Sequence, residues 1–169
     1  MASLSKTTEK PARILVEDPE ASVRQGVTAT LTSAGYECSV SEMPSETAKI
    51  LASGENVDLV LCGIAERSQE HLDRMILPDS PWNVVPVVIS TGDVGLMAKV
   101  LEMGAYDVLF RPFQQELLIF TVRRALEYRR LKIETLFLRN RLGLGSGLFF
   151  SLSALVQEHR KSVGSNSAG

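Results

Sequence analysis

Short apolar runs of strand character alternate with segments of helical periodicity along most of this 169-residue chain. No other feature narrows the fold as far. Repeated strand–helix pairs close into a parallel sheet with helices on both faces, joined by right-handed crossovers. Arg13–Glu17 reads as the first strand. Asp18-Pro19-Glu20 then suits a helix start, with Asp as N-cap, Pro at the first helical position and Glu at the positive end of the dipole. Val23, Val27, Thr30, Leu31 and Ala34 continue at helical spacing until Gly35 stops the helix. Tyr36–Val40 is a second strand, and Ser45–Ala52 a short helix ended by Gly54. Val57–Gly63 is apolar on both faces, which places it centrally. Val84–Ser90 is a fourth strand with Pro86 near its entry, Val94–Met103 a helix ending at Gly104, and Tyr106–Phe110 a fifth strand. A long helix begins near Gln114. Between the third and fourth strands, Glu66–Leu77 has Leu72, Met75 and Ile76 on one helical side. Pro78, Pro81 and Trp82 mark an irregular connection after it, and residues 1–12 form a loose polar lead-in.

Composition sets outer limits. Hydrophobic residues make up 44% and charged residues 22%, with a formal net charge of −2. These are values of a soluble globular domain with a real core. The absence of a basic excess argues against nucleic acid as a partner. Two cysteines, Cys38 and Cys62, fall in strand-like runs and read as small buried apolar residues rather than a metal or redox pair. The first residues lack the apolar core of a secretory signal, and no run reaches the roughly 18 apolar residues of a membrane span. A cytoplasmic protein without membrane contact is the expectation.

In a sheet of this kind, functional groups gather outside the carboxyl ends of the strands. Glu17, Asp18, Gly63, Ser90, Thr91 and Arg111 all fall there. Together with Gly104-Ala105-Tyr106-Asp107 followed by Arg111-Pro112-Phe113, this layout resembles the receiver domain of two-component response regulators over about residues 12–130. The resemblance implies a flavodoxin-like, five-stranded doubly wound sheet of order 2-1-3-4-5. It also implies a pocket. In the family an acidic pair after the first strand and an acceptor aspartate after the third hold Mg²⁺, which demands oxygen ligands in near-octahedral geometry. A hydroxyl after the fourth strand and a lysine after the fifth bind the phosphoryl oxygens. Carried over, Glu17 and Asp18 match the acidic pair and Thr91 the hydroxyl, while Arg111-Pro112-Phe113 is similar to the family's Lys-Pro-Phe.

The departures are concentrated on the chemistry. Gly63 stands where the acceptor would be, and glycine has no side-chain oxygen. Arg111 replaces the lysine, and Val108 the aromatic residue usual three positions earlier. Ala65-Glu66-Arg67-Ser68-Gln69 replaces the usual loop after the acceptor. Asp58 offers no substitute, since it stands about 16 Å away at the other end of its strand, at about 3.3 Å per residue. Plainer roles stand beside each of these. Asp18 could simply cap the first helix, Thr91 could satisfy a turn, and Gly63 could mark tight backbone space. Glu17 is harder to set aside, because a carboxylate at the end of a buried strand needs a partner. Arg111, always charged and carrying five donors, either points to solvent or reaches into the vacated pocket to pair with Glu17 or Asp18 where a metal ion would sit.

The final helix runs past the point where the domain would end. Leu117, Leu118, Val122, Ala125 and Leu126 are placed to face the sheet. Beyond them Tyr128, Leu131, Thr135, Leu138 and Leu142 follow the three–four spacing of a coiled-coil seam, over fewer than three heptads. Ile133, Leu136 and Phe137 leave a second apolar side. A homodimer through this helix is the favoured expectation, against a helix folded back on its own domain. Gly143–Gly147 is a break, Leu148–Val156 an apolar segment too short for a bilayer, and 162–169 a polar tail.

The expected organisation is a lead-in over 1–12, a receiver-like domain over 13–127, a helical extension over 128–142, and a short apolar helix with a tail over 143–169. The expected function is response-regulator-like signalling without aspartyl phosphorylation, acting through protein contacts and dimerisation. No enzymatic activity is expected, since no nucleophile–base pair or glycine-rich phosphate loop follows the first strand. As the resemblance implies, the contact face is the helix over 94–103, the fifth strand and the final helix, and the partner a histidine kinase or an output protein. No cofactor is required, with Glu17 and Asp18 left as a weak or vestigial Mg²⁺ site. Two other classes stay open: a small-ligand or anion sensor using the vacated pocket, and a receiver phosphorylated on another acid such as Glu66 or Asp18.

Overall fold

A computed structural model describes residues 10–64 and 87–141. Five strands, β1 (Arg13–Glu17), β2 (Glu37–Ser41), β3 (Leu59–Ile64), β4 (Val87–Thr91) and β5 (Asp107–Phe110), form one sheet in the order β2-β1-β3-β4-β5. Every pairing is parallel. The expected order and fold class are therefore those of the molecule. Each strand starts or ends within a few residues of its expected bounds. The helix expected over 66–77, the loop at 65–69 and the segment after Leu142 lie outside the described residues.

Alternation along the strands explains why helices cover both faces. Ile14 and Val16 of β1, with Leu59 and Leu61 of β3, pack on one side against Val27 and Leu31 of α1 (Ala21–Ser33) and Leu118, Val122 and Ala125 of α4 (Gln115–Arg141). Leu15, Val60 and Cys62 point to the other side, towards Ile50 and Leu51 of α2 (Pro44–Ala52) and Val100 of α3 (Met97–Glu102). All six residues of β3 are buried, as its two-sided apolar pattern requires. Truncating one of these core leucines to alanine costs about 2–5 kcal/mol. Gly35 and Gly104, which end α1 and α3, hold φ of 93° and 104°, the left-handed region where only glycine is unstrained.

Several local expectations are corrected. α1 starts at Ala21, after Pro19, and its N-cap Glu20 makes no side-chain capping bond. The helix expected over Val94–Met103 opens as a 3₁₀ turn, Val94–Leu96, with Asp93 accepting a bond from the Gly95 N–H. Leu117 does not face the sheet and is 48% exposed. The chain divides into two units, Met1–Arg129 and Arg130–Gly169, with α4 running across the division. Within the first unit the last turn of α4 is tied down twice. Arg129 pairs with Asp58 at 3.1 Å, and Tyr128 packs on Tyr106 with ring centroids 5.1 Å apart. Asp58 also accepts the Arg13 N–H at 2.8 Å. Among the described residues no helix is long and apolar enough to cross a membrane.

Candidate functional site at the strand ends

The parallel register carries the ends of β1, β3 and β4 to one edge. Glu17 lies opposite Cys62, Gly63 opposite Ser90, and Ile64 opposite Thr91. Glu17 and Asp18 are 1% and 2% exposed, so both carboxylates are taken out of water. Such groups require polar partners. The Cys62 thiol donates to Glu17 Oε1 at 3.4 Å. Burial, and then the neighbouring Glu17 charge, push the Cys62 thiol well above its ordinary range. Asp18 uses both carboxylate oxygens. Its Oδ1 accepts the Glu20 N–H at 2.8 Å, and its Oδ2 pairs with the Arg111 guanidinium. The Asp18 carbonyl also accepts from Arg24 Nη1 at 2.5 Å, while Arg24 Nη2 pairs with Glu42 at 2.6 Å.

Asp18 is thus not the helix cap that its sequence context offers. With Oδ2 held by Arg111, its other oxygen closes a short turn two residues on, and the helix begins only after Pro19. Arg111 points into the site rather than to solvent. Its Nε donates to Ser90 Oγ at 2.7 Å and its backbone N–H to the Thr91 carbonyl at 2.9 Å. The guanidinium therefore joins β1 to β4 from the end of β5. The Arg111-Pro112 peptide bond is cis, and Pro112 is exposed.

Gly63 explains how this pair fits. A Cβ built on Gly63 would fall on the Asp18 carboxylate and the Arg111 guanidinium. The space that a side chain at 63 would need is filled. The pocket expected to stand open for a small ligand is closed at this point. A groove of about 430 Å³ among the described residues, lined by Arg13, Tyr36, Glu37, Cys38 and Glu55, is at the opposite end of β1. Thr91, expected to bind phosphoryl oxygens or serve a turn, accepts the Asp93 N–H at 3.0 Å and so closes the turn into the 3₁₀ segment.

The residues present do not fit a magnesium ion. Mg²⁺ needs several oxygens with free lone pairs in octahedral array. Position 63 supplies no side-chain oxygen, both Asp18 oxygens are engaged, and a permanent positive charge lies beside them. Among the described residues, no three acidic, histidine or cysteine side chains are grouped to share a metal. Two members of the site have partners that the sequence did not assign. Ser90, already among the strand-end residues, is the neutral partner of Arg111. Arg24 gave no signal, because its contact with Asp18 depends on where α1 starts.

Along the seam of α4, Leu131 and Leu138 are 50% and 52% exposed, and the Thr135 hydroxyl donates to the Leu131 carbonyl at 2.8 Å. Tyr128 belongs to the contact with Tyr106 described above. Leu142 lies outside the described residues.

No protein-family model matches the chain. An NtrX-like response regulator of Rickettsia felis is 28% identical over 133 residues, covering 76% of this chain and 28% of that protein. The chain thus spans 28% of the length of that curated relative. The crystal structure of NtrX from Brucella abortus superposes with a TM-score of 0.69 at 29% identity, covering 79% of this chain and 30% of that one. The crystal structure of the receiver domain of NtrX from Brucella abortus gives a TM-score of 0.59 at 26% identity, covering 68% of this chain and 98% of that one.

Proposed function

This chain carries a receiver domain of the response-regulator type, and from that premise we propose that it signals without accepting a phosphoryl group. The observation that carries the reading is Gly63 at the end of β3, with the space beside it filled by Asp18 and Arg111. A receiver changes state because phosphorylation favours one of two conformations. Without an acceptor no phosphoryl energy is available to shift that equilibrium. Regulation then falls to binding, with a signalling protein such as a histidine kinase or an output protein recognising one conformation.

The second part of the reading is self-association. Leu131 and Leu138 lie one heptad apart on α4 and expose much of their apolar surface. A second copy of the same helix, packed side by side, buries that seam in the manner of a short coiled coil. The dimer would set the distance between two receiver domains and whatever each one contacts.

The test is direct. The full chain is incubated with acetyl phosphate and MgCl₂ beside a receiver that keeps its acceptor aspartate, and both are read by intact mass. The control gains a phosphoryl mass and this chain does not. A stoichiometric, acid-stable or hydroxylamine-sensitive adduct on this chain overturns the proposal and points to a different acid.

A further inference from the structure

We propose that the Arg111 guanidinium is a resident cation that takes the place of the divalent metal and makes this receiver's strand-end site metal-independent. The inference rests on the receiver reading above and concerns what the pocket holds. A receiver pocket concentrates carboxylates at the ends of parallel strands, and their repulsion and burial call for a positive charge. Here that charge is covalently part of the chain. Arg111 reaches Asp18 beyond β1 and both Ser90 Oγ and the Ser90 carbonyl on β4, the latter at 3.4 Å. It thereby spans the end of β3, where Gly63 leaves the gap it passes through.

Three features favour a guanidinium over a metal in this arrangement. Arginine keeps its charge at every pH at which the protein is folded. Its planar fork offers directed N–H donors to a carboxylate and a hydroxyl at once, and both are present. Glycine at 63 removes the carboxylate a metal would need and also the Cβ that would collide with the pair. The substitutions at 63 and 111 therefore act together. Restoring a side chain at 63 while Arg111 remains would meet an occupied space.

Manganese alone is the probe. In the wild-type full chain, MnCl₂ added at low stoichiometry is expected to leave the backbone amide signals of Asp18, Gly63 and Ser90 no more broadened than those of the rest of the domain. Melting temperatures are expected to agree in MgCl₂ and in NaCl of equal ionic strength. Gly63→Asp combined with Arg111→Gln restores the missing carboxylate and removes the charge while keeping an amide donor. It is expected to gain a Mg²⁺- and Mn²⁺-dependent rise in Tm of about 3 °C or more, with selective broadening at Asp18. Selective Mn²⁺ broadening of the site in the wild type overturns the inference whether or not the variant folds. A folded protein carrying Gly63→Asp and Arg111→Gln that remains indifferent to both metals overturns it as well. The acetyl phosphate result is separate. A phosphoryl adduct defeats the phosphorylation-independent reading and leaves manganese exclusion standing, whereas manganese binding without an adduct defeats only the resident cation.

Discussion

Gly63 and Gly26 show how one residue type serves two ends. Gly26 is an exposed helical position in α1 where an added Cβ meets nothing within 4 Å. Gly26→Ala is expected to stabilise the domain by about 0.5–1 kcal/mol, because alanine loses less backbone entropy in a helix. Gly63→Ala is expected to go the other way, by about 1–3 kcal/mol, since its Cβ must displace the Asp18 carboxylate or the Arg111 side chain. Urea melts of the two variants read both signs, and a neutral Gly63→Ala would mean that the pair is not held beside Gly63. Cys62 makes a second prediction. Its thiol is raised well above its ordinary range, first by burial and then by the Glu17 charge. Above pH 9.0 the unfolded chain releases a proton that the folded chain still holds. The contribution is therefore complete below that value and is lost as pH rises. Cys62→Ala should flatten the alkaline fall in Tm between about pH 9 and pH 10.5 relative to wild type. Parallel curves for the two proteins would refute it.

Elements add what single residues do not carry. β3 needs neighbours on both edges and helices on both faces, and it finds β1, β4 and both core layers. α4 changes role along its length. Its first turns bury Leu118, Val122 and Ala125, Tyr128 and Arg129 then tie it to Tyr106 and Asp58, and from Leu131 on it exposes an apolar seam. The dimer contact proposed above belongs to that last stretch, and the first seam residue, Tyr128, also packs on Tyr106. Leu131→Glu combined with Leu138→Glu is expected to reduce a dimeric mass to the monomeric one in sedimentation equilibrium. The melting of the receiver unit is expected to stay within about 2 °C, because both side chains are largely exposed. An unchanged mass would remove the seam from the interface.

The fold of the described chain was legible because it depends on pattern more than on contact. Runs such as Val57–Gly63 and helices stopped at Gly35 and Gly104 announce a parallel sheet through burial periodicity and backbone freedom, which are local properties. The family resemblance then supplied the strand order, which periodicity does not encode. The site was legible as a set of positions, since strand ends in a parallel sheet converge by topology. Its bonding was not. Spacing alone offered Arg111 two acids or solvent, and Arg111 and Asp18 are 93 positions apart. Asp18 looked like a helix cap because local chemistry favours one there, and a distant guanidinium overrode it. Sequence periodicity and the family resemblance were enough to indicate a five-stranded parallel sheet with Gly63 near the end of its third strand. Three-dimensional packing alone chose Asp18 over Glu17 for Arg111, made Ser90 its second partner, brought Arg24 into the site and filled the space at Gly63. Those outcomes depend on side-chain distances across strands, which a linear pattern does not contain.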